Sequence, residues 1–241
     1  MTSWKIEPCT LADAPALAPN NMMAFWATDA NWKLGWTLQD VTLDFLIENF
    51  HDRIPNNLLK DRETLRHYKA VDPETGALMG YARWMLPASC ADSPHWADGQ
   101  IAEVSEEERE AIRVRNEAAW WKPMHMDGLD DCGPEKKRIL EEGEYISLEY
   151  LAVHPDNTGK GVASALVKHG VELGKKTGVD LFILAFQAAL NIYKRQGFKV
   201  IHSAYQDDTK YGGVGYWVNL LTYEVDKPKD KKPDDENAAE P

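Results

Sequence analysis

Cysteine is scarce. The chain has three, Cys9, Cys90 and Cys132, widely separated, and neither a CxxC pair nor a Cys/His ligand spacing accompanies them. That excludes a disulfide-stapled scaffold and a structural zinc site, and the three read as reduced thiols of a cytoplasmic protein. No stretch approaches the roughly 18 uncharged apolar residues of a membrane span. The opening run MTSWKIEPCTLADAPALAP has no basic start and no unbroken apolar stretch, so no secretory leader and no membrane partner are expected. Positive charge is also short. Lys and Arg total 27 against 39 Asp and Glu, a formal charge of -12, and such a field repels phosphate backbones and favours cationic small molecules. Nucleic acid is therefore not an expected partner. What is present is ordinary globular composition, 44% hydrophobic and 27% charged over 241 residues, long enough to bury roughly 70% of the unfolded chain's surface. Nine tryptophans add bulk to the core or to a pocket in it.

Along the chain, Trp4 to Glu7 is a short alternating run. Leu11, Ala14, Leu17, Met22, Phe25 and Trp26 then recur at helical spacing, in a helix that Pro15 and Pro19 are expected to break or delay. Leu38, Val41, Leu43, Phe45, Leu46 and Phe50 predict a second helix, capped by Thr37. Two β-like runs flank Asp72-Pro73-Glu74-Thr75-Gly76, which is hairpin turn chemistry. Residues 88–143 change character and read as a helical insertion, with a capping box at Ser105 and Glu108, a solvated Glu/Arg face, and a short helix from Pro134 stopped by Gly143.

Tyr145 to Val153 then predicts a strand that turns directly into a helix. Asp180 to Ala185 is another strand, Ala188 to Gln196 a helix ended by Gly197, and Val200–Tyr205 with Tyr216–Val225 a closing strand pair. Residues 1–225 make one domain. Residues 226–241 are Pro and charge with no apolar residue except Ala and are expected to be disordered.

The chemistry-bearing stretch is Thr158-Gly159-Lys160-Gly161-Val162-Ala163 between strand and helix. Glycines there allow backbone angles and a close approach that a Cβ would block, and they precede a helix end with unpaired N–H groups. Amides from about residue 159 to Ser164, with the helix dipole behind them, suit a pyrophosphate, and Lys160 can add a contact. Neither the Walker A spacing nor the three-glycine dinucleotide fingerprint is present.

LAVHPDNTGKGVASALV, from Leu151 to Val167, resembles the acetyl-CoA motif of the GCN5-related N-acetyltransferase (GNAT) superfamily. IYKRQGFKV, from Ile192 to Val200, resembles that superfamily's second signature. The resemblance implies an α/β fold: a GNAT-like mixed, mostly antiparallel twisted sheet of about six to seven strands with a splayed central strand pair and flanking helices, plus the insertion before the motif strand. It implies acetyl-CoA as cofactor, CoA as product and no metal. Pantetheine would pair with the main chain across Leu151, Ala152 and Val153, and the pyrophosphate would sit on Thr158, Gly159, Lys160, Gly161, Val162, Ala163 and Ser164.

Thr158 departs from the family's Gln or Arg, and Phe186 stands where the family often has a pantetheine-binding Asn. Asn191 is the available substitute. Tyr193 occupies the position of a tyrosine that protonates the departing thiolate; its other reading is a core aromatic capping the Gly197-Phe198 turn. Glu149 shares strand parity with Leu151 and Val153, so it is the candidate base, against a plain solvated carboxylate; Glu144 is a weaker alternative.

His154 reads as a turn residue, and His95 and His125 lack matched ligands. Trp26, Trp32, Trp36 and Trp84 are core, one or two of them walling an amine pocket. The expected activity is acetyl transfer from acetyl-CoA to a primary amine of a small molecule, by direct attack in a ternary complex, in an enzyme with a homodimer as the family's usual assembly. Two alternatives stay open: a CoA-binding regulatory module without chemistry, and a peptide or protein N-acetyltransferase.

Overall fold

The computed structural model describes residues 4–28, 30–37, 39–124 and 132–226. His125 and all but the first residue of the charged tail lie outside them. The N-terminal strand β1 (Lys5–Pro8) leads through a 3-10 turn over Leu11–Asp13 into α1 (Ala14–Thr28). Thr10 and Asp13 form a reciprocal capping box at that entry. Helix α1 runs through Pro19 without breaking. The amide that Pro19 lacks would have bonded the Pro15 carbonyl, so one bond is lost, while Leu17, Ala18 and Met22 stay buried and hold the helix down.

The predicted cap at Thr37 is also corrected. Thr37 closes α2 (Ala30–Thr37), its hydroxyl bonded to the Lys33 carbonyl, and a turn with Asp40 at φ +55° separates it from α3 (Leu43–Leu59). Thr42 caps α3 by accepting from the Phe45 amide.

Strands β2 (Leu65–Val71) and β3 (Leu78–Met85) form the hairpin, its turn fixed by Asp72 Oδ1 accepting from the Glu74 and Thr75 amides. Ser105 caps α4 (Glu106–Ala118), and α5 (Gly133–Glu142) follows. The stop at Gly143 is extended, at φ -144°, and not left-handed; glycine is needed there because a Cβ would meet the Tyr145 ring at 2.6 Å. Then come β4 (Ile146–Val153), α6 (Val162–Thr177), β5 (Leu181–Phe186), α7 (Leu190–Arg195), β6 (Lys199–Gln206) and β7 (Tyr216–Tyr223).

The seven strands form one mixed, mostly antiparallel sheet in the order β1-β2-β3-β4-β5-β7-β6, in which β4 and β5 are the parallel pair. One core lies between the sheet and α6, with Trp84, Ile146, Leu166 and Val167 buried; its closest approach is Trp84 against Gly170, which leaves no room for a Cβ. The second lies under α1, α3 and α4, with Leu17, Met22, Trp36, Leu46, Phe50 and Ile112. The segment read as an insertion is knitted into both. Trp96 is fully buried in the first, its indole N–H bonded to Thr177 Oγ1, and Ile101 and Ile112 are buried in the second.

Candidate functional site

Strands β4 and β5 pair only from Ile146↔Leu181 to Leu148↔Ile183. Beyond that point β5 pairs only with β7, and no strand among the described residues lies on the β5 side of β4. What that side offers follows from the ladder. Leu86 donates its amide to Thr64 O, so even-numbered β3 residues back to Gly80 turn their main chain to β2 and odd-numbered ones to β4. Tyr81 pairs with Ala152, so Ala152 is committed to β3, and the N–H and C=O of Leu151 and Val153 face the gap.

Toward the start of β4, Ile146 donates to Asp180 O, which puts Ile146 and Leu148 on the same β5 side. The change from even to odd is made by a bulge. Arg83 pairs with Tyr150 and Trp84 with Leu148, leaving Glu149 as the extra residue. The strand parity that placed Glu149 on one face with Leu151 and Val153 is therefore interrupted at Glu149 itself.

The gap opens into a cleft of about 430 Å³ lined by Glu149, Tyr150, Leu151, Phe186, Gln187 and Tyr193, among others. Glu149 is 23% exposed at its side chain and has the Lys136 ammonium 3.9 Å away. Tyr193, on α7, is buried at 4%, and burial alone pushes its hydroxyl's pKa up, so it stays protonated at neutral pH. Its carbonyl also accepts from the Phe198 amide, so the turn-capping role belongs to the same residue.

The gap continues to the start of α6. Gly159 and Gly161 have φ of +78° and +82°, the left-handed region that glycine tolerates, and a Cβ at either would meet nothing within 4 Å. Their surroundings are open surface. No side chain caps α6 and no acidic residue sits in its first turn. The amides of Val162, Ala163 and Ser164 thus have no intrahelical acceptor, and the positive end of the helix dipole is uncompensated.

The loop is held at both ends. Lys160 O accepts from the Trp4 indole, and Asn157 spans from Met79 O to the Lys160 ammonium. Thr158 is extended and exposed.

The other sequence candidates fall elsewhere. Asn191 and Glu144 are exposed and outside the cleft lining, and His95 is exposed. His154 closes a turn, its Nδ1 accepting from the Asp156 amide. Trp84 is core, whereas Trp32 lines a second, smaller cavity. No group of three or more His, Cys, Asp or Glu side chains among the described residues is arranged to hold a metal ion, and no helix among them is long and apolar enough to cross a membrane.

Two residues at the site escaped sequence reasoning. Asn20, buried in α1, donates to Ala152 O and accepts from His154 N–H, fixing the end of β4 just before the glycine loop. Arg83 reaches the second cavity from β3. Neither lies near the motif in sequence, so no local pattern marks them.

Residues 133–200 match the model of the acetyltransferase (GNAT) domain. No curated protein is similar to the chain in sequence. Among solved structures, one described as histone acetyltransferase HPA2 and related acetyltransferase from Corynebacterium glutamicum is 18% identical, with a TM-score of 0.57 over 94% of this chain and 99% of that one. A putative phosphinothricin N-acetyltransferase is 14% identical, with a TM-score of 0.51 over 93% and 100%. The structure of yncA from Salmonella typhimurium with its cofactor acetyl-CoA is 14% identical, with a TM-score of 0.49 over 96% and 99%. At these identities the first two likenesses establish a shared fold. The described chain thus has the fold of these acetyltransferase structures, and the segment that carries both signatures matches the acetyltransferase (GNAT) domain.

Proposed function

We propose that the protein is an acetyl-CoA-dependent N-acetyltransferase that moves an acetyl group to a primary amine of a small molecule, in the cytoplasm, by direct attack in a ternary complex. The observation that carries this reading is the continuity of three features: free amides at α6, the main chain of Leu151 and Val153 turned into the gap, and a cleft holding Glu149 and Tyr193 at its far end. The residues fit the cofactor. An open glycine cradle without a competing carboxylate suits a pyrophosphate, and an unpaired strand edge suits an amide-bearing arm that adds to it as a strand would. Thr158 supplies no long donor, so binding rests on backbone amides. The cleft's Phe186 gives apolar contact where a polar side chain was expected from the family.

The bound thioester supplies the acyl carbonyl that the amine attacks; the C–N bond forms as C–S breaks. Glu149, on the cleft wall, takes the proton the amine must lose, directly or through one water. Tyr193 lines the same cleft. With its pKa pushed up it is a poor outright acid, so its contribution is a hydrogen bond that strengthens as charge builds on sulfur. No covalent enzyme intermediate is required.

The test is free-thiol release from acetyl-CoA with a panel of amines, with mass spectrometry of the products. Amine-dependent thiol release matched by N-acetylated product is expected. Tight CoA binding without release for any small amine or peptide would favour a regulatory module, and acetylation confined to peptides would move the acceptor to a protein amine.

A further inference from the structure

A second cavity, of about 140 Å³, lies on the α1–α3 side of β3 and β4 and shares Tyr150 with the first. Its walls include Trp32, Phe50, Trp121, Tyr81 and Tyr150, with Asn21 and Asn57 as neutral polar groups, and Arg83 is its one cation among the described residues. Arg83 is half-buried, and its Nε is fully shielded from solvent without a hydrogen-bond partner. The guanidinium makes no ion pair or hydrogen bond with any described residue; its contact is the Tyr150 ring, 5.5 Å away. Arg66, on the neighbouring strand, shares the shielded, unpartnered Nε, but its Nη atoms reach the carbonyls of Arg62, Glu63, Leu65 and Ala91, a set of contacts that Arg83 lacks. A half-buried guanidinium with no hydrogen bond of its own keeps all its N–H donors for an incoming anion.

We propose that Arg83 receives a carboxylate of the acceptor, so that the substrate class is an amine that also carries a carboxylate, an amino acid or a close analogue. This rests on the reading of the protein as an acetyltransferase and narrows it. The planar guanidinium fork matches a carboxylate in two parallel hydrogen bonds, and a single cation among aromatic walls is matched in charge by one carboxylate, whereas a phosphate dianion calls for more donors.

The placement follows from the register. Arg83 lies directly opposite Tyr150 across the β3–β4 ladder, and Glu149 and Leu151, the residues either side of Tyr150, line the cleft. An acceptor lying across Tyr150 therefore sets its carboxylate on Arg83 and its amine at Glu149. The protein's overall charge of -12 does not oppose this, because the acceptor is a zwitterion and the recognition is local.

The experiment compares amino acids with their decarboxylated amines and carboxamides in the thiol-release assay, for the native protein, Arg83→Gln, Arg83→Met and Arg83→Lys. The native protein should prefer the carboxylate-bearing member of each pair by about tenfold or more in kcat/KM, the range expected of hydrogen bonds to a charged group. Arg83→Gln and Arg83→Met should bring that ratio close to one, and Arg83→Lys should keep part of it, while CoA still raises the unfolding midpoint of all three.

A parallel binding arm uses N-acetylated amino acids and their amides as probes of the CoA-loaded protein. The acids should raise the midpoint and the amides should not, and Arg83→Gln should abolish the difference. Equal rates for acids and decarboxylated amines, or an unchanged preference in Arg83→Gln, overturn the proposal. If no amine is turned over, the proposed activity fails by itself, and the binding arm still decides whether Arg83 holds a carboxylate.

Discussion

Tyr193 shows how far a single side chain can be read from sequence. The resemblance of Ile192 to Val200 to the superfamily's second signature marked it, and the structure places it on the cleft wall, while its backbone ties the following turn. Removing only the hydroxyl keeps the ring and therefore the turn. Tyr193→Phe should lower kcat by about 10- to 100-fold, the range of one hydrogen bond to a charged group, with the CoA-induced midpoint shift retained; full turnover in this variant would remove Tyr193 from the chemistry. Glu149 teaches the opposite lesson. Alternation along β4 is legible in sequence, but the bulge that interrupts it depends on how many β3 residues stand opposite, a property of the pair and not of either strand.

His67 carries a residue-scale consequence for stability. It is 1% exposed, with Nδ1 2.7 Å from Tyr81 Oη, and burial, followed by the charges of Arg83 and Arg66, pushes its imidazole down to about 3. The unfolded chain binds that proton from about pH 6.5 downward while the folded one does not. His67 thus leaves stability intact above about pH 6.5 and takes it away as pH falls toward 3, at up to about 1.4 kcal/mol per pH unit. Denaturant unfolding at pH 7 and pH 5 should show a drop for the native protein that is smaller in His67→Gln; equal drops would show that His67 does not titrate this way.

At the scale of elements, the strand–loop–helix unit over residues 146–177 was the most legible part of the chain, because its determinants are local. The glycines sit at positive φ and the helix follows within one residue. Gly161→Val probes this unit well. Open space surrounds the position, so the cost is backbone strain of about 1–2 kcal/mol, and the branched side chain would stand where the phosphates are expected. The variant should fold, with a lower midpoint, and lose most of its CoA-induced shift; an undiminished shift would place the phosphates elsewhere.

Less legible were the elements whose ends are decided by packing. Pro19 sits inside α1 because buried neighbours on both sides outweigh one missing bond. The cap of α3 moved from Thr37 to Thr42 because Thr37 ends α2, a helix that periodicity had not marked, and a turn with Asp40 at positive φ separates the two. Asn20 could not have been found from the motif, since its two strand partners lie more than a hundred residues away.

At the scale of the molecule, the sheet order explains why the site lies where it does. Antiparallel pairing on both sides leaves one parallel junction, β4 with β5, and there the twist of two half-sheets separates the strands. Helices cover both faces, α6 on one and α1 with α3 on the other, so the split is walled above and below and reaches the surface at the start of α6. Apart from α2, the order of strands and helices was readable from periodicity and turn residues. The split was not; it entered as an implication of the family resemblance, because nothing in β4 or β5 alone says where their pairing stops.

Acetyl transfer here requires that this split and the helix end beside it hold a CoA ester, and thermal unfolding with acetyl-CoA, CoA and ATP tests that most directly. A ligand bound only by the folded state stabilises it by about 2.7 kcal/mol at a hundred times its Kd. Acetyl-CoA and CoA should each raise the midpoint in a concentration-dependent way, and ATP, which lacks the pantetheine arm, should do so far less. A midpoint unmoved by saturating acetyl-CoA and CoA would contradict the cradle, the gap and the acetyl transfer built on them.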